Sequence, residues 1–166
     1  MMLVDAKSIL KRLTRSCTAA LEAAAAQCVT ARHYEVTVEH MMLKLLDDPE
    51  SDLAFLVMHY DLNPAALRQT LQRSLDDLRT GNAGKPVFSP TVFEWMQDAW
   101  SVGSLLYGHS KIRSGMLFQR LVEQPSRFTM SGTGMYLEGI SKDDLKTNFA
   151  KIVSGSKEDA DAMSGA

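Results

Sequence analysis

Residues 33–49 read HYEVTVEHMMLKLLDDP, and residues 109–125, which lie 76 positions later, read HSKIRSGMLFQRLVEQP. Few letters are identical, but the first histidine, the apolar positions of the following helix and the final proline coincide. Self-similarity at a fixed offset indicates a repeat, in which each unit buries its apolar face against its neighbour. The sequence therefore predicts an all-α fold with a pseudo-twofold repeat of two four-helix units, which meet at a seam.

The composition is typical of one globular domain and disfavours several classes of partner. A chain of 166 residues with 45% hydrophobic and 23% charged residues is long enough for one well-buried core. A net charge of -2 offers no basic face for nucleic acid. The longest apolar stretches, such as residues 23–26, are much shorter than the roughly 20 residues that span a bilayer. We therefore expect a cytoplasmic protein without nucleic-acid or membrane partners.

Turn and capping residues divide the chain into segments. Residues 1–12 are predicted to form an extra N-terminal helix, and residues 13–79 the first repeat. The glycine-containing stretch 80–88 is the predicted linker, and residues 89–153 form the second repeat, which begins at a Ser-Pro cap. Residues 154–166 carry too few large apolar side chains to offset the entropy of ordering, so they are predicted to be a flexible tail or a linker of the kind that another domain often follows.

No motif for catalysis or for cofactor binding is complete. The stretch from Gly81 to Lys85 lacks the spacing of a phosphate-binding loop, and Pro86 stands where such a loop requires Ser or Thr. No Gly-x-Ser-x-Gly elbow occurs. We therefore predict no catalytic residue and no cofactor in these 166 residues. A small helical enzyme with unrecognised residues is the alternative from a different functional class.

The histidines and cysteines do not form a familiar metal-site pattern. No pair at one-turn spacing occurs among the four histidines, which are His33, His40, His59 and His109. Cys17 and Cys28 lie on one predicted helix about 16 Å apart, which is too far for a disulfide. We interpret the histidines as caps or surface residues and the cysteines as reduced core thiols, so no metal site is predicted.

Two features leave the position of a binding surface open. The predicted helix over residues 14–32 is rich in alanine, and core packing accounts for about half of these alanines. The others could form the floor of a groove that receives a partner helix. Trp95 and Trp100 are five positions apart and cannot share a helix face, so one could lie toward a surface, although the filling of core gaps explains both.

The segment TVEHMMLKLL at residues 37–46, the two four-helix repeats and the linker resemble the N-terminal domain of the Clp family of AAA+ chaperones over residues 13–153. Within that family the chain is most similar to the ClpV branch of bacterial type VI secretion, because of the extra helix around residues 5–11 and the run AALEAAA at residues 19–25. The resemblance implies a recognition domain. The nucleotide-binding rings, with ATP and Mg, lie C-terminal in the family, and the full-length protein is expected to be a hexamer and this fragment a monomer.

The resemblance also implies a partner and a site. The ClpV branch binds an N-terminal helix of the contractile sheath protein and so recruits contracted sheaths for ATP-driven disassembly. Carried onto this sequence, the groove is expected to involve Leu10, Leu13, Thr14, Cys17, Ala20, Leu21, Ala24, Val92, Trp95, Met116 and Leu117. A groove for generic unfolded substrates or adaptors, as in other Clp chaperones, is the alternative. Selectivity for one helix-forming sequence would distinguish the two.

Overall fold

Residues 5–163 are described by the structure, a computed structural model, and this part of the chain forms eleven helices and two short strands. In chain order they are α1 (Ala6–Leu10), α2 (Arg15–Thr30), β1 (Glu35–Val36), α3 (Val38–Leu46), α4 (Asp52–His59), α5 (Pro64–Asp76), β2 (Val87–Phe88), α6 (Pro90–Tyr107), α7 (Ser114–Glu123), α8 (Pro125–Phe128), α9 (Ser131–Leu137), α10 (Lys142–Ile152) and α11 (Lys157–Ala162). Helix α1 is the predicted extra N-terminal helix. Residues 1–4 of that prediction, and residues 164–166 of the predicted tail, lie outside the described range.

Most of the longer helices begin at a residue whose side chain accepts a backbone N–H of the first turn. These caps are Thr14, Thr37, Ser51, Asn63, Ser89 and Ser141. A proline at the first helical position sets the backbone of α5 and α6. Helix α7 begins differently, because its N-cap is Arg113, whose side chain has no acceptor. Its first N–H groups are bound by carboxylates from elsewhere in the chain.

The helices confirm the predicted pair of repeats. The first repeat contains α2 to α5 and the second contains α6 to α10, with α7 at the position of α3. The second repeat differs from a four-helix unit by one short helix, the four-residue α8, which Pro125 starts directly after α7 ends. Within residues 5–163, none of the helices has the length and apolar character needed to cross a membrane.

Main-chain hydrogen bonds join the two repeats reciprocally. Strand β1, which leads into α3, pairs in parallel with β2, which leads into α6, so that Val36 lies opposite Phe88. A matching parallel bridge joins Leu13, which leads into α2, to Ile112, which leads into α7. Equivalent hydrogen bonds of 3.0 Å follow in both places, from Ser89 N–H to the Val36 carbonyl and from Thr14 N–H to the Ile112 carbonyl. Each repeat thus supplies main-chain partners to the other.

One hydrophobic core contains buried residues of both repeats, and the two tryptophans lie at different depths in it. Trp95 is fully buried, and its indole Nε1–H donates to the carbonyl of Leu117 over 2.9 Å. Trp100 is half-buried at the edge of the core, where the Arg12 guanidinium lies 4.8 Å from its ring centroid. The core therefore holds one tryptophan, and the second covers its margin, which agrees with the argument that the two cannot share a helix face.

The flexible tail predicted from residue 154 onward is wrong for residues 154–163. Helix α11 packs against the first repeat, with Glu158 only 1% exposed and Ala162 fully buried. The Lys157 N–H donates to the Glu50 carbonyl over 3.0 Å. The polar composition of this segment does not predict that it packs. It packs because the Glu158 carboxylate binds the N-termini of buried helices instead of water.

Candidate functional site

The residues expected to line a groove are placed mainly in the core. Leu13, Cys17, Leu21 and Ala24 are at most 6% exposed, and Thr14 is fully buried. Across the seam, Val92, Trp95, Met116 and Leu117 are fully buried, while Leu10 is half-buried against the core. These residues were expected to line an open groove at the seam, but they pack in the core instead. Their three- and four-residue spacing marks the face that packs inward, and a partner helix would need the neighbouring face.

That neighbouring face of α2 does form a groove. Two adjoining cavities of about 700 and about 270 Å³ share Ser16, Ala19 and Asp48. We call their combined surface the α2 groove, and it is lined by Arg15, Ser16, Ala19, Ala20, Ala23, Lys44, Leu45, Asp47, Asp48, Lys157, Ala160 and Asp161. Helix α2 therefore supplies the floor, the end of α3 one wall and α11 the other. Ala20 belongs to the sequence-predicted set and lies at the edge of this floor, 6% exposed.

The floor of the α2 groove is made of small side chains. Ala19 and Ala23 are exposed and stand one helical turn apart on the same face. Because alanine ends at Cβ, another backbone can approach α2 closely here. These two residues belong to the alanine-rich run that the sequence analysis left open between core packing and a groove floor. Solvent exposure distinguishes the two roles. Ala19 and Ala23 are exposed and can form a groove floor, whereas Ala24 is fully buried and packs in the core.

The rim of the α2 groove carries charges of both signs. Lys157 Nζ lies 2.8 Å from Asp48 Oδ2, and the hydrogen bond to Asp48 raises the pKa of Lys157. Burial alone would raise the pKa of Asp161, but hydrogen bonds from Lys111 and from the Arg15 N–H hold that pKa below its usual value. The rim therefore presents fixed, ionised groups around an apolar floor, an arrangement that can orient a polar-edged helix.

A buried ionic cluster beneath the groove holds α11 in place. Glu158 Oε1 accepts from the Thr14 hydroxyl over 2.7 Å and from the Ser114 N–H over 2.8 Å, and Oε2 accepts from the Asp52 N–H over 2.8 Å. One carboxylate thus binds the N-termini of α2, α4 and α7, where helix dipoles favour negative charge. Burial first, and the charge of Asp52 second, raise the pKa of Glu158.

Arg113 neutralises part of this negative charge. Its Nε lies 2.6 Å from Asp52 Oδ2, with side chains 2% and 0% exposed, and its Nη2 lies 3.0 Å from Asp159 Oδ1. Asp52 also accepts the Gly115 N–H over 3.2 Å and a hydrogen bond from Ser156. The carboxylates of α4 and α11 therefore supply the cap that Arg113 itself cannot give to α7. This cluster fixes the α11 wall of the groove.

A second polar cluster joins the end of α2 to the start of α3. Cys28, His33 and His40 are buried, and one ligand atom from each lies within 4.8 Å of the others. The cap interpretation holds for His40, whose Nδ1 accepts the Thr37 N–H in a capping box, and His59 is exposed as expected. His33 and His109 are buried, which differs from a surface role. The sequence search for one-turn pairs missed this cluster because a loop brings His33 back onto α2.

The sequence is similar to a known domain family and to a known ATPase. The Clp repeat (R) N-terminal domain family matches residues 12–129. The AAA+ ATPase ClpV1 of Pseudomonas aeruginosa (strain PAO1) is 30% identical over 140 residues, which are 84% of this chain and 16% of that protein. This chain thus spans about one sixth of the length of that relative.

Solved structures of isolated N-domains are also similar. The N-domain of ClpV from Vibrio cholerae superposes with a TM-score of 0.89 at 29% identity, over 95% of this chain and 95% of that chain. A complex of a ClpV N-domain with a VipB peptide superposes with a TM-score of 0.85 at 28% identity, over 95% and 97% of the two chains. The similarity therefore extends well beyond the residues 12–129 that the family matches.

Proposed function

This chain belongs to the Clp repeat (R) N-terminal domain family, and from that premise we propose that it is the partner-recognition domain of a type VI secretion ATPase of the ClpV kind. Its partner is an N-terminal helix of a contractile sheath protein, whose capture recruits contracted sheath for ATP-driven disassembly. The similarity to a ClpV N-domain that was solved with a VipB peptide supports this assignment. ATP hydrolysis belongs to the C-terminal rings of the full-length, hexameric and cytoplasmic protein, and the domain itself performs no chemistry.

The α2 groove is the observation that carries the proposal. An α-helix is roughly 10–12 Å across with its side chains, and the alanine floor lets such a helix lie against α2 at close range. We expect the bound helix to place small or apolar residues at three- and four-residue spacing over Ala19 and Ala23. Each of the two cavities has basic and acidic side chains in its lining, so the polar edges of the bound helix meet charges of both signs along the rim, which fixes register and direction.

A charge on the groove floor is expected to abolish recognition. Ala19 borders both cavities and is exposed, so Ala19→Arg fills the floor without disturbing the core. We expect the affinity for a synthetic peptide from the sheath N-terminus to fall about 30- to 100-fold, the loss typical of a central interface position. Titration calorimetry measures it, and circular dichroism shows whether the fold is kept. Leu13→Asp is a poorer test, because Leu13 lies in the core.

Thr18→Arg is the matched control for this experiment. Thr18 is exposed on the same helix but lies on another face than Ala19 and lines neither cavity of the α2 groove. Its substitution is expected to leave the affinity within about twofold of the original, as for positions outside the interface. Equal binding by the Ala19→Arg variant and the original chain would contradict the groove assignment. Equal affinity of the original chain for the sheath peptide and for an unfolded protein would favour generic substrate capture.

A further inference from the structure

The backbone conformation after α2 fixes the position of His33 beside Cys28 and His40. Arg32 adopts a left-handed conformation with φ 58°, which ends α2 and turns the chain back. The His33 N–H then donates to the Cys28 carbonyl over 3.0 Å, and Asn82 Nδ2 donates to the His33 carbonyl over 3.0 Å. The imidazole of His33 is thereby brought beside the Cys28 thiol and the first turn of α3.

The spacing of the donor atoms is close to that of a tetrahedral site. His33 Nδ1 lies 2.9 Å from His40 Nε2, and the Cys28 sulfur lies within 4.8 Å of both. A zinc ion with normal bond lengths separates two ligand nitrogens by about 3.3 Å and a nitrogen from a sulfur by about 3.6 Å. The two ring nitrogens therefore need to separate by about 0.4 Å, and the sulfur needs to approach them by up to about 1.2 Å. Side-chain rotations provide both movements.

The histidine donors suit a cation better than the thiol does, because burial raises the pKa of Cys28 and a metal must displace its proton. Burial, and secondarily the His33 neighbour, lowers the pKa of His40 to about 4, so this ring is neutral near pH 7. Its Nδ1 accepts the Thr37 N–H, and a shift of the ring proton from Nε2 to Nδ1 would free the Nε2 lone pair for a metal. His40 Nδ1 lies 2.9 Å from Thr37 Oγ1 as well as from the Thr37 N–H. When Nε2 binds a cation, the hydroxyl oxygen can accept Nδ1–H, the orienting contact typical of metal-bound histidines. The capping bond from the Thr37 N–H is exchanged for it.

The second repeat supplies an internal comparison. There His109 follows Gly108, which has φ 70°, and the His109 N–H donates to the Gly103 carbonyl six residues earlier over 3.1 Å, whereas His33 donates to Cys28 five residues earlier. Met116 occupies the position of His40 at the 76-residue offset. Within the described residues, His109 Nδ1 has no hydrogen-bond partner. A similar return of the chain therefore forms without a thiol or a second imidazole, so the fold alone does not demand the Cys-His-His set of the first repeat.

We propose that Cys28, His33 and His40 form a binding site for a divalent cation of the zinc type. The ion takes the Cys28 thiolate and one nitrogen from each histidine, with water or the nearby Glu35 carbonyl completing four-coordination. The carbonyl of Glu35 already lies 3.3 Å from the Cys28 sulfur. Binding releases the thiol proton to solvent. The ion would fasten the end of α2 to the start of α3, the two helices that border the α2 groove.

Cobalt(II) is a suitable first probe, because a thiolate ligand gives it a near-ultraviolet charge-transfer band and tetrahedral geometry gives it strong visible bands. The untagged 166-residue chain, freed of metal by a chelator, is expected to bind one Co²⁺ with both signals. Zn²⁺ should displace it. At a free Zn²⁺ concentration about 100 times its dissociation constant, the melting temperature is expected to rise by roughly 5–10 °C.

Cys28→Ala is expected to remove the charge-transfer band, and His40→Gln to weaken binding at least tenfold. Cys17→Ala is the matched control, since Cys17 is the other buried cysteine and lies outside the cluster. Its spectrum should equal that of the original chain. A band that survives in the Cys28→Ala variant overturns the proposal. Absence of stoichiometric Co²⁺ binding by the original chain does so too, whether or not the variants fold.

Discussion

Arg113→Met is expected to lower the free energy of unfolding by about 3–5 kcal/mol, the usual cost of removing one partner of a buried ion pair. Methionine fills much of the same volume, but it leaves Asp52 and Glu158 as two buried carboxylates without their cation. Chemical denaturation followed by circular dichroism measures the change. A loss below about 1 kcal/mol would show that the cluster does not depend on this charge.

Arg68→Met provides the contrast at equal distance and different burial. Arg68 Nη1 lies 2.7 Å from Asp47 Oδ1, but the two side chains are 45% and 53% exposed. An exposed pair of this kind contributes at most about 1 kcal/mol. The difference between the two variants therefore combines the effect of burial with the loss of the second ion pair of Arg113, which is to Asp159.

The Arg113→Met deficit is also expected to depend on pH. The pKa of Glu158 is raised by burial and by Asp52, so the folded state binds a proton more readily than the unfolded chain does. The contribution of such a group is favourable at low pH and is lost as the pH rises through its folded pKa. With the cation gone, protonation relieves the remaining repulsion. The deficit should therefore shrink between about pH 7 and about pH 5. A deficit that grows on acidification would contradict this assignment.

Glu158→Ala is expected to destabilise the chain by a similar amount, about 3–5 kcal/mol. It leaves the N–H groups of Ser114 and Asp52 and the hydroxyl of Thr14 without their acceptor, and each buried unsatisfied donor costs about 1–3 kcal/mol. Relief of the repulsion with Asp52 offsets only part of this loss. Equilibrium denaturation measures stability, and hydrogen exchange at residues 157–162 reports directly on the detachment of α11.

Lys157→Ala is the control for this second variant, because it changes the adjacent residue of the same helix. Lys157 is half exposed and its ion pair with Asp48 lies at the rim. We expect a change in stability of at most about 1 kcal/mol and no faster exchange in α11. Protection of residues 157–162 that is the same in the Glu158→Ala variant and the original chain would show that α11 is held by other contacts.

The helix pattern was predictable from the sequence because it depends on local signals. Capping residues such as Thr37 and Asn63 and the stop at Pro49 act within a few residues of themselves, and the 76-residue offset located the second repeat. The alanine-rich run also predicted that α2 carries unusually small side chains on its surface.

The missed features depend on contacts between residues far apart in the chain. From the sequence, Glu158 looks like a solvent-exposed charge. Its role becomes visible only in the fold, where the N-termini of α2, α4 and α7 all meet its carboxylate. The face of α2 that stays open is decided by how α3 and α11 pack. The family resemblance therefore assigned Cys17 and Ala24 to a groove, although they lie in the core beside it. His33 joins Cys28 because Arg32 adopts a left-handed conformation, which its residue type does not foretell.

The segments that precede α2 and α6 each pair with the other repeat, and this limits how the protein can be divided. The segment before α6 is completed by residues of the first half, and the segment before α2 by residues of the second, so an excised half would expose main-chain groups that have no local replacement. The two halves are therefore obliged to fold and melt in concert. The duplicated units therefore behave as two interlocked parts of a single body.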